Sequence, residues 1–371
     1  MSPTDSFIQS LIQATDSPPA EFHGGRLREA VTDTGIPLGD WLDLSTGINP
    51  QGWTAPPLEP AAFSRLPENR ADLLKAATQY YFGAGKPPEG TALVATPGSQ
   101  WFIQHFPALA RKAGHQRPLS VLVPDIGYRE HRFWWQAHGH VTEHYSEAEL
   151  TDLLNKTLHA DVMVIINPNN PSARKVARED ILTSARRNAD TLYVVDEAFM
   201  DTRPADSLLA GPLPVNLVVL RSLGKFFGLA GLRVGFCLCD QRIGERLHNT
   251  LGPWPLATAS EYLATQALLD QPWQEHARKN LQRWSADLNG RLEDFFHCRT
   301  GWHVLNIRCT DFFVTVTFST ATQAASLHSA LKRKAVLTRL IEDSALLRFG
   351  LPATADVETF MNRLRAAADN N

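Results

Sequence analysis

Cysteine is scarce in this sequence: four among 371 residues, at positions 237, 239, 298 and 309. Cys237 and Cys239 lie in "RVGFCLCD", which reads as a buried strand with both thiols on one face, and no second pair completes a metal site. That leaves no basis for a disulfide framework and predicts structural thiols in a reducing compartment. No run approaches the roughly 18 consecutive apolar residues of a membrane span. The opening "MSPTDSFIQSLIQATDSPPAEF" has neither a basic leader nor a long apolar core, which predicts that it is no secretory signal. Charge of one sign is missing too. The 36 Lys and Arg against 39 Asp and Glu leave a formal −3, with no global pull towards nucleic acid or an anionic membrane. "HRFWW" at 131–135 mixes bases and aromatics locally, and reads as an amphipathic helix face. The expectation is a soluble cytoplasmic protein.

What is present is enough apolar residue to build a large core: 43% hydrophobic against 20% charged. From residue 91 short β-rich runs recur at "ALVAT" (92–96), "SVLVP" (120–124), "DVMVIIN" (161–167), "TLYVVD" (191–196), "VNLVVL" (215–220) and "RVGFCLC" (233–239). Several are apolar throughout, as expected when both faces of a strand are covered. Helix-length stretches at 99–114, 127–139 and 176–189 separate most of them. This alternation predicts an α/β fold with a mostly parallel central sheet. After "TLGPWPLATAS" (250–260) comes a long helical region to about 295, then "FFVTVTF" (312–318), "AVLTRL" (335–340) and "ALLRFGL" (345–351) mixed with helices. The expected division is a large domain over 46–255 and a smaller α+β domain from 1–45 plus 256–371. The N-terminal stretch to about residue 22 reads as a helix and an arm.

Ligands in open parallel sheets gather outside the carboxyl ends of the strands. Here "TPGSQ" (96–100), "NPNNP" (167–171), "DEAF" (196–199) and "RSLGK" (221–225) each follow a strand. Taken singly they have ordinary readings as turns and helix starts. Their order and shared placement carry the weight. Lys225, set between Gly224 and Phe226, would have a depressed amine pKa and could form a Schiff base with an aldehyde. Asp196 could hold a protonated ring nitrogen. Free N–H groups around Gly98, Ser99 and Gln100 suit a phosphate dianion, joined by Ser222 and Arg233. Asn170 could donate to a phenolic oxygen, and Tyr128 offers a ring to stack on. An aldehyde, a pyridine, a phenol and a phosphate on one molecule describe pyridoxal 5′-phosphate. "GAGK" at 83–86 is no nucleotide loop, because Pro87 stands where Ser or Thr is needed.

With NPxNP, the DE pair, SxxK and an arginine eight residues on, the chain resembles the fold-type I, pyridoxal-phosphate-dependent aminotransferase-like family over nearly its whole length. The resemblance implies Asn170, Asp196, Ser222, Lys225 and Arg233 as cofactor residues, with Lys225 and Asp196 catalytic. "HGGRLREA" (23–30) and "LDLSTGINPQG" (42–52) look like the branch containing histidinol-phosphate aminotransferase and, more closely, the L-threonine-O-3-phosphate decarboxylases of cobalamin biosynthesis. That implies substrate contacts from Gly47 and Asn49, a carboxylate partner in Arg348, and phosphate partners in Arg339 and the His23–Gly24 region. It also implies a homodimer acting on a small phosphorylated amino acid. Two reactions stay open on the same residues: loss of CO2 from threonine phosphate to give (R)-1-amino-2-propanol phosphate, or transamination of the histidinol-phosphate type.

Two departures from the family pattern matter. "RLPE" (65–68) replaces a "YPDP"-like motif, and Leu66 cannot reach a partner subunit's phosphate. Phe199 stands where the family often has a tyrosine that donates to the cofactor's phenolic oxygen. Without that donor, the cofactor's linkage to Lys225 should stay protonated to higher pH than in relatives with the tyrosine. Phe199→Tyr is therefore expected to move the spectral pH titration of the bound cofactor downwards; a titration superimposable on the parent's would count against this role for position 199.

Overall fold

The computed structural model describes residues 24–68, 70–83, 85–112, 117–299, 301–341 and 344–369. The expected N-terminal helix and arm, and His23, lie outside the described residues. The strands are β1 (Leu42–Asp43), β2 (Thr91–Thr96), β3 (Ser120–Pro124), β4 (Val141–Tyr145), β5 (Val162–Ile166), β6 (Leu192–Asp196), β7 (Leu217–Ser222), β8 (Gly235–Asp240), β9 (Val304–Cys309), β10 (Phe313–Phe318), β11 (Val336–Leu337), β12 (Arg339–Leu340) and β13 (Leu346–Gly350). Seven of them form a sheet in the order β2-β8-β7-β6-β5-β3-β4, parallel except for β8, which runs against both neighbours. A second, antiparallel sheet has the order β12-β13-β10-β9. β1 and β11 pair in parallel and tie the chain's early part to its late part.

The unbroken apolar runs of the central strands have a direct cause. Val162 and Val164 of β5 join Val194, Val218 and Leu220 on one face, under Phe102, Ile103 and Phe106 of the helix Ser99–Lys112. Met163 and Ile165 point the other way, with Tyr193, Val195, Leu217 and Val219, under Ile181, Leu182 and Ala185 of the helix Arg178–Arg187. Alternate side chains thus serve two cores, so polar residues have no place along the strand. The second core continues into Val314, Val316, Leu347 and Phe349 of the smaller sheet, which packs the two sheets into one body. Cys237 and Cys239 are buried in β8 as free thiols. No helix among the described residues is long and apolar enough to cross a membrane.

Several elements depart from the sequence expectation. "AVLTRL" is not one strand: Val336–Leu337 pairs with β1 and Arg339–Leu340 with β13, so the chain changes sheets at buried Thr338. The helical region divides at Asp270, whose carboxylate accepts from Trp273 N at 3.1 Å and starts the helix Gln271–His297 just before Pro272. β4 was missing from the expected list. Its sequence, "VTEHY", faces solvent at the sheet edge and carries too little apolar pattern to read as a strand.

At the carboxyl end of β7 lies a buried ionic cluster. Arg221 Nη1 donates to Glu197 Oε2 at 2.9 Å and Nη2 to Asp201 Oδ1 at 2.7 Å, while Tyr80 Oη donates to that same Oδ1 at 2.8 Å. Arg221, Glu197 and Asp201 are each no more than 2% exposed. This fixes the loop after Asp196 to the strand that leads to Lys225. Arg221→Met leaves two carboxylates buried without their cation, so a loss of about 3–5 kcal/mol is expected in urea unfolding at unchanged slope. A loss below about 1 kcal/mol, the range of exposed pairs, would show that water reaches the cluster.

Candidate active site

Lys225 is presented by a turn that the early part of the chain holds in place. Its carbonyl accepts from Asn49 N at 3.0 Å and from Gly228 N at 3.2 Å. Asn49 Nδ2 donates to the Phe226 carbonyl at 2.9 Å, and Trp53 N to that of Phe227 at 2.8 Å. The two segments touch at Gly228 and Gly52: a Cβ on Gly228, whose φ is +70°, would stand 2.6 Å from Gly52 Cα. Phe226 and Phe227 are fully buried on either side of this turn's base. The expectation for Asn49 is thereby corrected. Its side chain is committed to Phe226 and to Gln51 N, and it braces the lysine turn instead of lining the cavity.

The Lys225 amine opens into a cavity of about 300 Å³ that is also lined by Gly24, Gly47, Tyr128, Asn170, Arg339 and Arg348. Burial, then the nearby Arg348 cation, push its pKa down from the ordinary lysine range to about 8, with Asp196 opposing and Arg233 adding to the fall. The Phe199 ring lies 5.3 Å from Nζ, and a Cβ on Gly47 would stand 2.8 Å from that ring. Phe199 therefore supplies an apolar wall, and residue 47 has room only for glycine.

Around the amine the sequence-nominated groups converge. Asp196, at the end of β6, accepts from Ala198 N at 3.0 Å through Oδ1, while Oδ2 faces His131 Nε2 at 3.2 Å, both residues buried. Tyr128 meets the His131 ring edge-on at 6.2 Å. Sequence reasoning had placed His131 only on a helix face; its spacing from Tyr128 by one helical turn was the available signal. Asn170 Oδ1 accepts from Arg348 Nη1, and Arg348 Nη2 donates to the Ser45 carbonyl. On the other side, Gly98 has φ +72°, and a Cβ there would stand 2.8 Å from Arg233 Nη2. The Arg233 guanidinium thus covers the N-terminus of the helix Ser99–Lys112, beside Ser222, whose Oγ accepts from Gly224 N at 3.2 Å. The Gln100 side chain is occupied by Tyr128 and Glu130, so what it can offer an anion is its backbone N–H.

These residues fit pyridoxal 5′-phosphate. An amine with its pKa lowered to about 8 suits the aldehyde, and a buried carboxylate held by His131 suits the ring nitrogen. A helix N-terminus under a guanidinium, where no Cβ would fit, suits the phosphate.

The substrate side carries more charge than expected. Arg339 and Arg348 are directly opposed across β12 and β13, an arrangement that destabilises a sheet on its own. Burial, then Arg339, lower the Arg348 pKa to about 9, and its Nε is buried without a partner. Arg129, which sequence reasoning missed, lines the same cavity. No acidic residue is among the described residues of that lining. Gly24 lines it too, beside Gly25, whose N–H donates to Ser45 Oγ at 2.8 Å.

In the cofactor-free protein, acylation of Lys225 by an amine-selective reagent should rise with pH through a midpoint of about 8. Exposed lysines should follow the ordinary range near ~10.4. Peptide mass spectrometry reads both. A Lys225 midpoint equal to that of the exposed lysines would place the amine in water.

The sequence profile of aminotransferase class I and II matches residues 41–364. The chain is 39% identical over 338 residues to a threonine-phosphate decarboxylase of Pseudomonas aeruginosa, covering 89% of this chain and 93% of that protein. It is 33% identical over 339 residues to a threonine-phosphate decarboxylase of Sinorhizobium, covering 90% and 94%. Its fold is similar, with a TM-score of 0.76 and 16% identity over 97% of each chain, to histidinol-phosphate aminotransferase from Sinorhizobium meliloti in complex with pyridoxal-5′-phosphate. With its sheet order, its strand-end lysine and a match that spans most of its length, this chain belongs to the aminotransferase class I and II family.

Proposed function

We propose that this chain is a pyridoxal-phosphate-dependent enzyme that decarboxylates L-threonine O-3-phosphate to (R)-1-amino-2-propanol phosphate, in the making of a corrinoid. The observation that carries the reading is the cavity wall: Arg129, Arg339 and Arg348 beside Lys225, with no acid among the described lining residues. A substrate with a phosphate dianion and a carboxylate offers these guanidiniums oxygen acceptors of matching charge. The two decarboxylase relatives support the same substrate.

Bound pyridoxal phosphate supplies an electron sink for the pair left on Cα when the bond to the carboxylate breaks. Ser99 and Gln100 would donate backbone N–H groups to the cofactor phosphate, with Ser222 and Arg233 completing its charge balance, while the Gly98 N–H is spent on the Thr96 carbonyl at 2.7 Å and Gly98 contributes the room that its missing Cβ leaves. Asp196, oriented by His131, holds the proton on the ring nitrogen. Asn170, its Oδ1 taken by Arg348, keeps its amide N–H groups for the phenolic oxygen. Tyr128 stacks on the ring. Arg348 grips the substrate carboxylate and Arg339, across the ladder, its phosphate; Gly24 and Gly47 leave room for the chain between them. His23 would add to the phosphate grip. Lys225 Nζ returns a proton to Cα after CO2 departs. Arg348 and the phosphate grip would fix how the substrate is turned about Cα, and so which Cα bond the bound cofactor can weaken.

The same reading divides the chain into a large domain, 46–255, and a small one, 1–45 with 256–371. It also makes the working form a homodimer. Phe63 (71% exposed) and Leu66 (59%) project from a segment that packs on the helix Thr258–Leu269, near Trp254 (55%) and Tyr262 (41%). Apolar side chains grouped like this support a protein partner, here a second copy.

The test is incubation of the cofactor-loaded protein with L-threonine O-3-phosphate. Release of CO2 and the amino-alcohol phosphate with no keto acid present is the expected result. Arg348→Met should lower kcat/KM by about 10- to 100-fold, the worth of a charged hydrogen-bond pair. An absolute requirement for a keto acid, with amine transfer and no CO2, would instead make the chain a transaminase of the histidinol-phosphate type.

A further inference from the structure

One buried carboxylate near the site is used by none of the steps above. Glu130 begins the helix Glu130–Ala137 and is 3% exposed. Its Oε2 accepts from Gln100 Nε2 at 2.5 Å and from Trp134 Nε1 at 2.7 Å. Gln100 Oε1 in turn accepts from Tyr128 Oη at 2.9 Å. A carboxylate offers lone pairs only, so the Gln100 amide must turn its NH2 towards Glu130. Its carbonyl then faces Tyr128, and the tyrosine hydroxyl can satisfy it only by donating. The chain of donors runs one way, and Glu130 sets the direction.

We infer that Glu130 is a positioning residue for the aromatic wall of the cofactor pocket. It fixes the Gln100 amide, and through it the Tyr128 ring, which lines the same cavity as Lys225. The same lock points the Tyr128 hydroxyl proton at Gln100, so the ring serves as a stacking surface and not as a proton donor to substrate. Gln100 is the residue where this lock meets the phosphate cradle, since its own N–H lies in the first turn of the helix Ser99–Lys112. The inference rests on the reading that the cavity takes pyridoxal phosphate.

The test compares Glu130→Leu, Glu130→Gln, Tyr128→Phe and the Glu130→Leu/Tyr128→Phe double variant. Two readouts are followed: cofactor dissociation by fluorescence titration of the apoprotein, and the visible circular dichroism induced in the bound cofactor. Glu130→Leu and Tyr128→Phe should each raise the dissociation constant about tenfold, the effect of one lost buried hydrogen bond, and should alter the induced signal alike. The double variant should match either single change, because all three break one relay. Glu130→Gln keeps an acceptor for Gln100 and Trp134 and should restore both readouts. A Glu130→Leu protein that melts earlier but keeps parental cofactor affinity and induced signal would overturn the inference, as would full additivity in the double variant. Failure of the parent protein to take up the cofactor would strike at the underlying reading instead.

Discussion

The constraint on which the site depends is the burial of several cations together in one partly dry cavity. Arg348 is held beside Lys225 and opposite Arg339; burial above all, and then the neighbouring cation, lower the pKa of the amine and of the guanidinium, a cost that Asp196 and Asp43 offset only in part. Water would relieve it, but burial removes water. Two events ease it further, a proton lost from the lysine or an anion admitted to the cavity. The first produces a neutral amine, which is the nucleophilic form. The second selects a ligand with carboxylate and phosphate together. Activation of the lysine and choice of substrate therefore come from the same arrangement of charge.

Holding charges in such an arrangement needs a rigid frame. The parallel strands end on one edge because the helices between them return the chain each time to the same starting edge. Two buried polar clusters then stiffen that edge. The Arg221–Glu197–Asp201 group ties the loop after Asp196 to the strand before Lys225. The Asn49–Phe226 contact ties the lysine turn to a segment more than 170 residues away in sequence. Neither group itself lines the cavity, yet each sets where a lining residue can stand.

Much of this was legible in the sequence because the relevant signals are local. Unbroken apolar runs marked the central strands, and four polar motifs in strand-end positions marked Asp196, Asn170, Ser222 and Lys225. What escaped was relational. "VTEHY" became β4 only because β3 offers it a ladder, with one side left to solvent. "AVLTRL" was split by two competing partners, β1 and β13, neither visible in its own residues. His131 reads from sequence as a position on a helix face, and Glu130 carries no signal of its own; their meaning comes from Asp196 and Gln100, which lie 65 and 30 residues away. Asn49 sat in a motif associated with substrate, but the local turn used its side chain first.

Phe199 shows how such substitutions propagate. A tyrosine there would bring a hydroxyl to the cofactor's phenolic oxygen, whereas the phenylalanine brings only an apolar ring 5.3 Å from the lysine amine. That ring packs on Phe312 and Phe313, at 5.5 and 5.2 Å, and fills the space in front of Gly47. On the proposed reading the stabilisation of the phenolic oxygen falls to Asn170, whose Oδ1 is already fixed by Arg348. The guanidinium proposed to grip the substrate carboxylate thus also orients the Asn170 amide. With phenylalanine at 199, substrate binding and cofactor polarisation would on this reading depend on the same guanidinium, and that dependence follows from who is left to donate, not from any added contact.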